Sequence, residues 1–173
     1  MIDWTYWTPR ERANLCFILR GDEILLIRKK RGLGAGKINA PGGKIEPGES
    51  AREAAIRETM EEVGVVPVSP EKRGELHFQF ADGYSLDCAV LLAAGCEGEP
   101  VETAEAAPIW TPLDRIPYPE MWADDAHWLP LLIAGKCFRG FFTFDGDVMT
   151  SRKIDIVDHF AGADGPASLR ADP

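Results

Sequence analysis

The stretch Pro41–Val65, PGGKIEPGESAREAAIRETMEEVGV, puts four glutamates and two arginines between Ala51 and Val63, just after a glycine-rich bend. Ser50 followed three residues later by Glu53 forms an S-x-x-E capping box. Gly64 suits a helix stop, because glycine adopts the left-handed conformation without a Cβ clash, so a helix is expected over Ala51–Val63. On the helical wheel Glu58 and Glu62 fall nearly in line, with Glu61 beside them. Three carboxylates therefore share one stripe. Ala51, Ala54 and Ala55 extend that stripe, which would leave the backbone open to a bulky ligand, while Ile56, Met60 and Val63 gather opposite as the expected core side.

A solvated face with incidental ion pairs is the plain alternative for such a helix. Yet like charges four residues apart repel by roughly 0.2–0.5 kcal/mol, so the trio needs a reason. Magnesium, with manganese as a substitute, supplies one: it prefers carboxylate and water oxygens and sits between protein and substrate phosphates. Arg57 lies four residues from both Glu53 and Glu61, placed to orient a carboxylate. Ahead of the helix, Arg28, Lys29, Lys30, Arg31, Lys37 and Lys44 gather six of the nineteen basic residues in a chain of net charge −9. A small anionic ligand fits between the two groups. A nucleic-acid polymer spread over a large surface does not.

At 173 residues, 45% hydrophobic and 27% charged, the chain can bury one good core. No apolar run approaches the ~20 residues of a membrane helix, and MIDWTYWTPRERANL lacks a signal-peptide core, so a soluble, cytoplasmic monomer without membrane contact is expected. Cys16, Cys88, Cys96 and Cys137 form no C-x-x-C pair and read as free thiols. ANLCFILRGDEILLIRKK predicts a hairpin over Ala13–Lys30, and ELHFQF with YSLDCAVLLAA a second. APIWTPL reads as a strand, DDAHWLPLLIAG as a second helix despite Pro130, and FRGFFTFDGD with VMTSRKIDIV as a last hairpin. Hairpins interleaved irregularly with helices imply an α+β class. The expected organisation is an N-terminal extension (1–12), one domain (13–160) and a mobile tail (161–173). GLGAGK is no P-loop, since Arg31 stands at its first glycine position and Ile38 follows Lys37.

Gly43, five residues, Glu49, seven residues and then RETMEEVGV spell G-x5-E-x7-R-E-U-x-E-E-x-G-U, where U is bulky and apolar. Through these 23 residues the chain resembles the Nudix hydrolase family, departing from the signature only at Thr59, the first U. The resemblance implies a mixed central β-sheet sandwiched between helices (α/β/α) and metal-dependent hydrolysis. It makes Glu58, Glu61 and Glu62 metal ligands with the Gly43 carbonyl, and Arg57 their organiser. Glu105 matches a loop glutamate that reaches the metal, and the general base stays open between Glu61 and Glu105.

LLIRKKRGLGAGKINAPGGK and IPYPEMWADDAHWLPLLIAGKCFRGFFTF carry the likeness from Asn14 to Val157, towards the MutT-type branch that hydrolyses oxidised purine nucleoside triphosphates such as 8-oxo-dGTP and 2-oxo-dATP in animals. That branch implies base recognition by Asn39, Trp122, Asp124 and Asp125, a substrate contact from Lys29, and Asn14 where the relatives have threonine. Leu33 and Leu86 replace phenylalanine and methionine in or near the pocket. An amide can pair with a purine edge, an indole offers a stacking face, and adjacent buried carboxyls do not both ionise. Without the resemblance, Asp124 and Asp125 would read as caps of the second helix. Other readings are hydrolysis of another nucleoside diphosphate derivative or a methylated purine nucleotide, and a non-catalytic nucleotide sensor, which the intact glutamates oppose.

Overall fold

The computed structural model describes residues 1–160; the expected mobile tail lies outside them. β1 (Glu11–Arg20) and β2 (Glu23–Lys29) turn at Gly21, whose φ of 59° is left-handed. The hairpin closes only at Leu19–Ile24 and Arg20–Glu23. Beyond those pairs the two strands part. β1 runs parallel to β7 (Ser85–Ala93) on one side, and on the other takes the short β4 (Gly42–Lys44). β2 pairs instead with β3 (Ile38–Asn39) and β9 (Ala106–Pro112). A cleft opens where the strands diverge.

β6 (Glu71–Phe80) forms the second expected hairpin with β7, and β10 (Cys137–Asp145) forms the third with β11 (Val148–Val157). Parallel pairing of β10 with β6 joins them into the order β11-β10-β6-β7-β1-β2-β3. β5 (Val66–Pro67) and β8 (Cys96–Glu97) make a separate two-stranded ribbon. Alternation along β1 sends Cys16 and Ile18 towards α1 (Ala51–Val63), and Leu15, Phe17 and Leu19 towards α2 (Asp125–Ile133). The mixed sheet thus lies between helices, as expected. Trp128, Leu129 and Leu132 are fully or almost fully buried, which holds α2 in place around Pro130. No described helix is long and apolar enough to cross a membrane.

The α1 boundaries match the sequence signals. Ser50 Oγ accepts the Glu53 amide at 3.0 Å, and Gly64, at φ 74°, returns its own amide to Met60. Ser50→Ala should cost about 1 kcal/mol, lowering the Tm in thermal denaturation by roughly 2–4 °C for a chain of this size. The facing of the helix differs from expectation. Met60 is 46% exposed and Ile56 only partly covered, whereas Ala51, Ala54, Ala55, Thr59, Glu62 and Val63 are buried. The alanine stripe is closed to ligand because its small side chains let the helix lie close on β1. That closeness brings Glu62 inside.

Trp4 and Trp7 cover the outer face of the sheet. The Trp4 ring lies 5.3 Å from Phe141, and the Trp7 indole donates to Gln79 Oε1 at 2.9 Å.

Candidate active site

Gly42 and Gly43 bring β4 against β1 and α1 with no room for a side chain. A Cβ on Gly42 would lie 2.0 Å from the Asn14 carbonyl oxygen, and one on Gly43 would lie 2.4 Å from the Glu58 carboxyl carbon. Arg57 then ties the strand, the loop and the helix together. Its Nε and Nη2 donate to the two oxygens of Glu49 at 2.7 and 2.8 Å, a bidentate fork, and its Nη1 donates to Glu58 at 2.8 Å. Nη2 also reaches the Lys44 carbonyl, and Glu61 lies 3.5 Å from Nη1. The organised partners are Glu49 and Glu58; Glu49, from the loop before the helix, takes the place expected of Glu53. Arg57→Lys keeps the charge and loses the fork. It should reduce turnover about 10–100-fold, as loss of a supporting partner behind metal ligands does, measured by phosphate or pyrophosphate release.

Glu62 is 5% exposed and its Oε2 has no hydrogen-bond partner. Burial pushes its carboxyl up to about 8, with the Glu58 charge adding to the effect and Lys29 opposing it. Burial also raises Glu58, against the pull of Arg57. Glu105 stands close enough to act on both acids, and Arg31 holds it at 2.7 Å. Among the described residues no three acidic, histidine or cysteine side chains converge tightly enough to hold an ion as they stand. Glu58 is turned to Arg57, Glu61 faces solvent, and Glu62 lines the cleft. The donor set nevertheless fits a hard divalent cation, since it offers carboxylate and backbone oxygens, one of them a buried orphan that a cation would satisfy. The Gly43 carbonyl already accepts Asn14 Nδ2 at 3.2 Å.

Beside Glu62 a cleft of about 760 Å³, its open mouth included, is lined by residues of both β1 and β2. It is lined by Asn14, Lys29, Leu33, Asn39, Gly43, Glu62, Leu86, Trp122, Asp124 and Asp125, so most of the residues singled out in the sequence meet in one place. Lys29 Nζ donates to the Leu33 carbonyl at 2.8 Å and anchors the glycine-rich loop at the mouth. Asn39 Oδ1 accepts the Ala40 amide, which leaves its Nδ2 free to donate.

Asp124 and Asp125 are each 2% exposed. Neither acts as a conventional cap: Asp124 stands at the N-cap position of α2 but makes no capping hydrogen bond, and its Oδ2 instead accepts the Trp128 indole at 2.7 Å. Asp124 Oδ1 and Asp125 Oδ2 have no partner. Burial raises Asp124 to about 6. Asp125 is also raised well above the ordinary carboxyl range, by burial first and then by its neighbour's charge.

Phe78, Phe80, Cys88 and Phe144 also line the cleft. In the sequence the three phenylalanines stand only within expected hairpins, and Cys88 reads only as a free thiol. The signal lay in the spacing of Phe78 and Phe80, two apart on one strand and so on one face; the parallel register that sets Phe144 opposite Phe80 is non-local.

The chain matches the NUDIX domain over residues 9–132 and belongs to the Nudix hydrolase family. It is 42% identical over 147 residues to the oxidized purine nucleoside triphosphate hydrolase of Danio rerio, covering 84% of this chain and 94% of that protein. With the enzyme of the same name from Mus musculus it shares 39% over 149 residues, 85% of this chain and 96% of the other. A MutT protein from Bacillus halodurans has a similar structure, with a TM-score of 0.76 at 29% identity over 84% of this chain and 97% of that one. Members of the family generally require a divalent metal ion, in keeping with the carboxylate set.

Proposed function

We propose that this protein hydrolyses oxidised purine nucleoside triphosphates, of the 8-oxo-dGTP and 2-oxo-dATP type, to the monophosphate and pyrophosphate, with magnesium or manganese at Glu58, Glu61 and Glu62. The observation that carries this reading is the buried Asp124–Asp125 pair beside Trp122, lining the same cleft as Glu62. The names of the animal relatives support it.

In the proposed reaction Trp122 stacks on the base, worth roughly 1–3 kcal/mol, while Asn39 Nδ2 and the aspartate pair read its edge. The aspartates can present donor and acceptor in either order by moving one proton between them, which suits oxidised purines of differing edge pattern. Lys29, close enough to act on Glu62, holds sugar or phosphate oxygens, and Asn14 lines the cleft beside Gly43. When bound, the metal lowers the pKa of a water and neutralises charge on the leaving phosphate. Arg57 fixes the direction of Glu58, and Glu61 or Glu105 takes the proton from the attacking water. Water's oxygen joins phosphorus as the phosphoanhydride breaks, and pyrophosphate leaves. The substrate in this reading is a free nucleotide, which an acidic chain of net charge −9 accommodates better than a polymer.

The test is steady-state pyrophosphate release, with magnesium, from 8-oxo-dGTP, 2-oxo-dATP and dGTP at equal low concentrations. A strong preference for an oxidised nucleotide is expected. Equal, slow release from all three would overturn the substrate assignment and leave the hydrolase chemistry standing.

A further inference from the structure

Trp122 lines the cleft and is packed by residues of the glycine-rich loop, β6 and β10. Gly34, at φ +76°, lies against the indole edge so closely that a Cβ there would come within 2.7 Å of Nε1. Phe80 and Phe144 meet the ring edge-on at 6.0 and 5.5 Å. Lys37 Nζ stands over the ring, 5.0 Å from its centre, and 3.2 Å from Asp147 Oδ2. Lys37 itself does not line the cleft, whereas Trp122 does. Asp147 sits in the turn between β10 and β11 and Lys37 in the glycine-rich loop before β3, which makes the ion pair a tie between the two lips of the cleft.

We infer that Lys37 is a specificity-determining positioning residue: Asp147 holds its ammonium behind Trp122, so that cation, indole and purine stack in that order. The inference rests on the purine reading above. A cation over one face of an indole draws π density towards itself. The opposite face becomes less negative, and an electron-rich ring stacks on it better. An added oxo group makes a purine such a ring. Lys37 would then favour oxidised over parent bases without touching either, beyond the selectivity that the aspartate edge supplies.

The experiment compares the parent protein with Lys37→Met, Lys37→Arg and Asp147→Asn on 8-oxo-dGTP and dGTP, with magnesium. Lys37→Met should raise KM for 8-oxo-dGTP about three- to tenfold, the range open to a partly exposed cation–π contact, with a smaller change for dGTP and kcat held. Lys37→Arg should restore the parent KM, and Asp147→Asn should give a partial loss. A Lys37→Met variant with the parent's KM values would overturn the inference, as would an equal loss on both nucleotides accompanied by a lower Tm, the mark of a purely structural tie. If the parent protein itself fails to separate 8-oxo-dGTP from dGTP, the substrate reading falls and this inference with it. If the parent discriminates and the variant discriminates equally, only the role of Lys37 falls.

Discussion

Glu62→Gln should lower turnover on the order of 10²-fold or more, the scale on which a single preorganised electrostatic contact in an active site counts, while leaving nucleotide binding largely intact. The substitution preserves shape and removes the charge of the most deeply placed glutamate of the helix, whose free oxygen lines the cleft without a partner. The proposed base site draws on other residues, Asn39 of β3, Trp122 and the Asp124–Asp125 pair, and should stay as it is. Stability should move the other way. In the folded, metal-free protein the Glu62 carboxyl is raised to about 8, above an unfolded value near ~4.3. Its contribution is therefore fully present below that unfolded value and is lost as pH rises through about 8. Glutamine carries no such loss, so the metal-free variant should melt no lower than its parent at pH 8. Pyrophosphate release, tryptophan fluorescence on nucleotide addition and thermal denaturation read the three effects separately. Undiminished turnover would remove Glu62 from the machinery.

The same residue shows where sequence reading succeeded and where it stopped. Ser50 and Gly64 defined α1 because capping is local chemistry, decided within four residues of each end. The spacing of Glu58, Glu61 and Glu62 was legible for the same reason. Which face of the helix is buried was not. Hydrophobicity pointed to Met60 and Ile56, but proximity to the sheet demanded small residues, and the side that had to approach β1 is the side of Ala51 and Ala55, with Glu62 at its end. Function overrode the usual apolar stripe.

The hairpins were readable from their turns. The partnerships between them were not. β1 with β7 and β6 with β10 pair in parallel across long stretches of chain, and no local pattern encodes that register. The cleft depends on it, because the aromatic wall of Phe78, Phe80 and Phe144 exists only once β6 and β10 lie side by side. So does the splaying of β1 from β2, which the sequence presents as one continuous hairpin. Lys37 reads in the sequence only as one of the basic cluster ahead of the helix, and its pairing with Asp147 arises from the fold, which brings the two loops together.

Asp124→Asn should reduce kcat/KM for the preferred oxidised purine by about 10²-fold, the cost of leaving a buried polar group wrongly paired, and should raise the Tm of the ligand-free protein near neutral pH. The two effects share one cause. In the proposed reading Asp124, bonded to the Trp128 indole through Oδ2, offers its other, unpartnered oxygen to the cleft as an acceptor. An asparagine can keep the Trp128 indole bond through its carbonyl, but it then turns an NH₂ towards the base where an acceptor stood, and donor meets donor. The gain in stability follows from the folded value of about 6 against about 3.9 in the unfolded chain. A carboxyl raised in this way contributes stability that is complete below the unfolded value and lost as pH rises through the folded one. The variant's Tm advantage should therefore vanish near pH ~4, grow through pH ~6 and level off above it, at roughly 2–4 °C for each kcal/mol recovered. Relative rates among 8-oxo-dGTP, 2-oxo-dATP and dGTP should change with the substitution. If they stay fixed while the Tm rises, Asp124 is a buried structural acid, and base selection belongs to Asn39 and the stacking face alone.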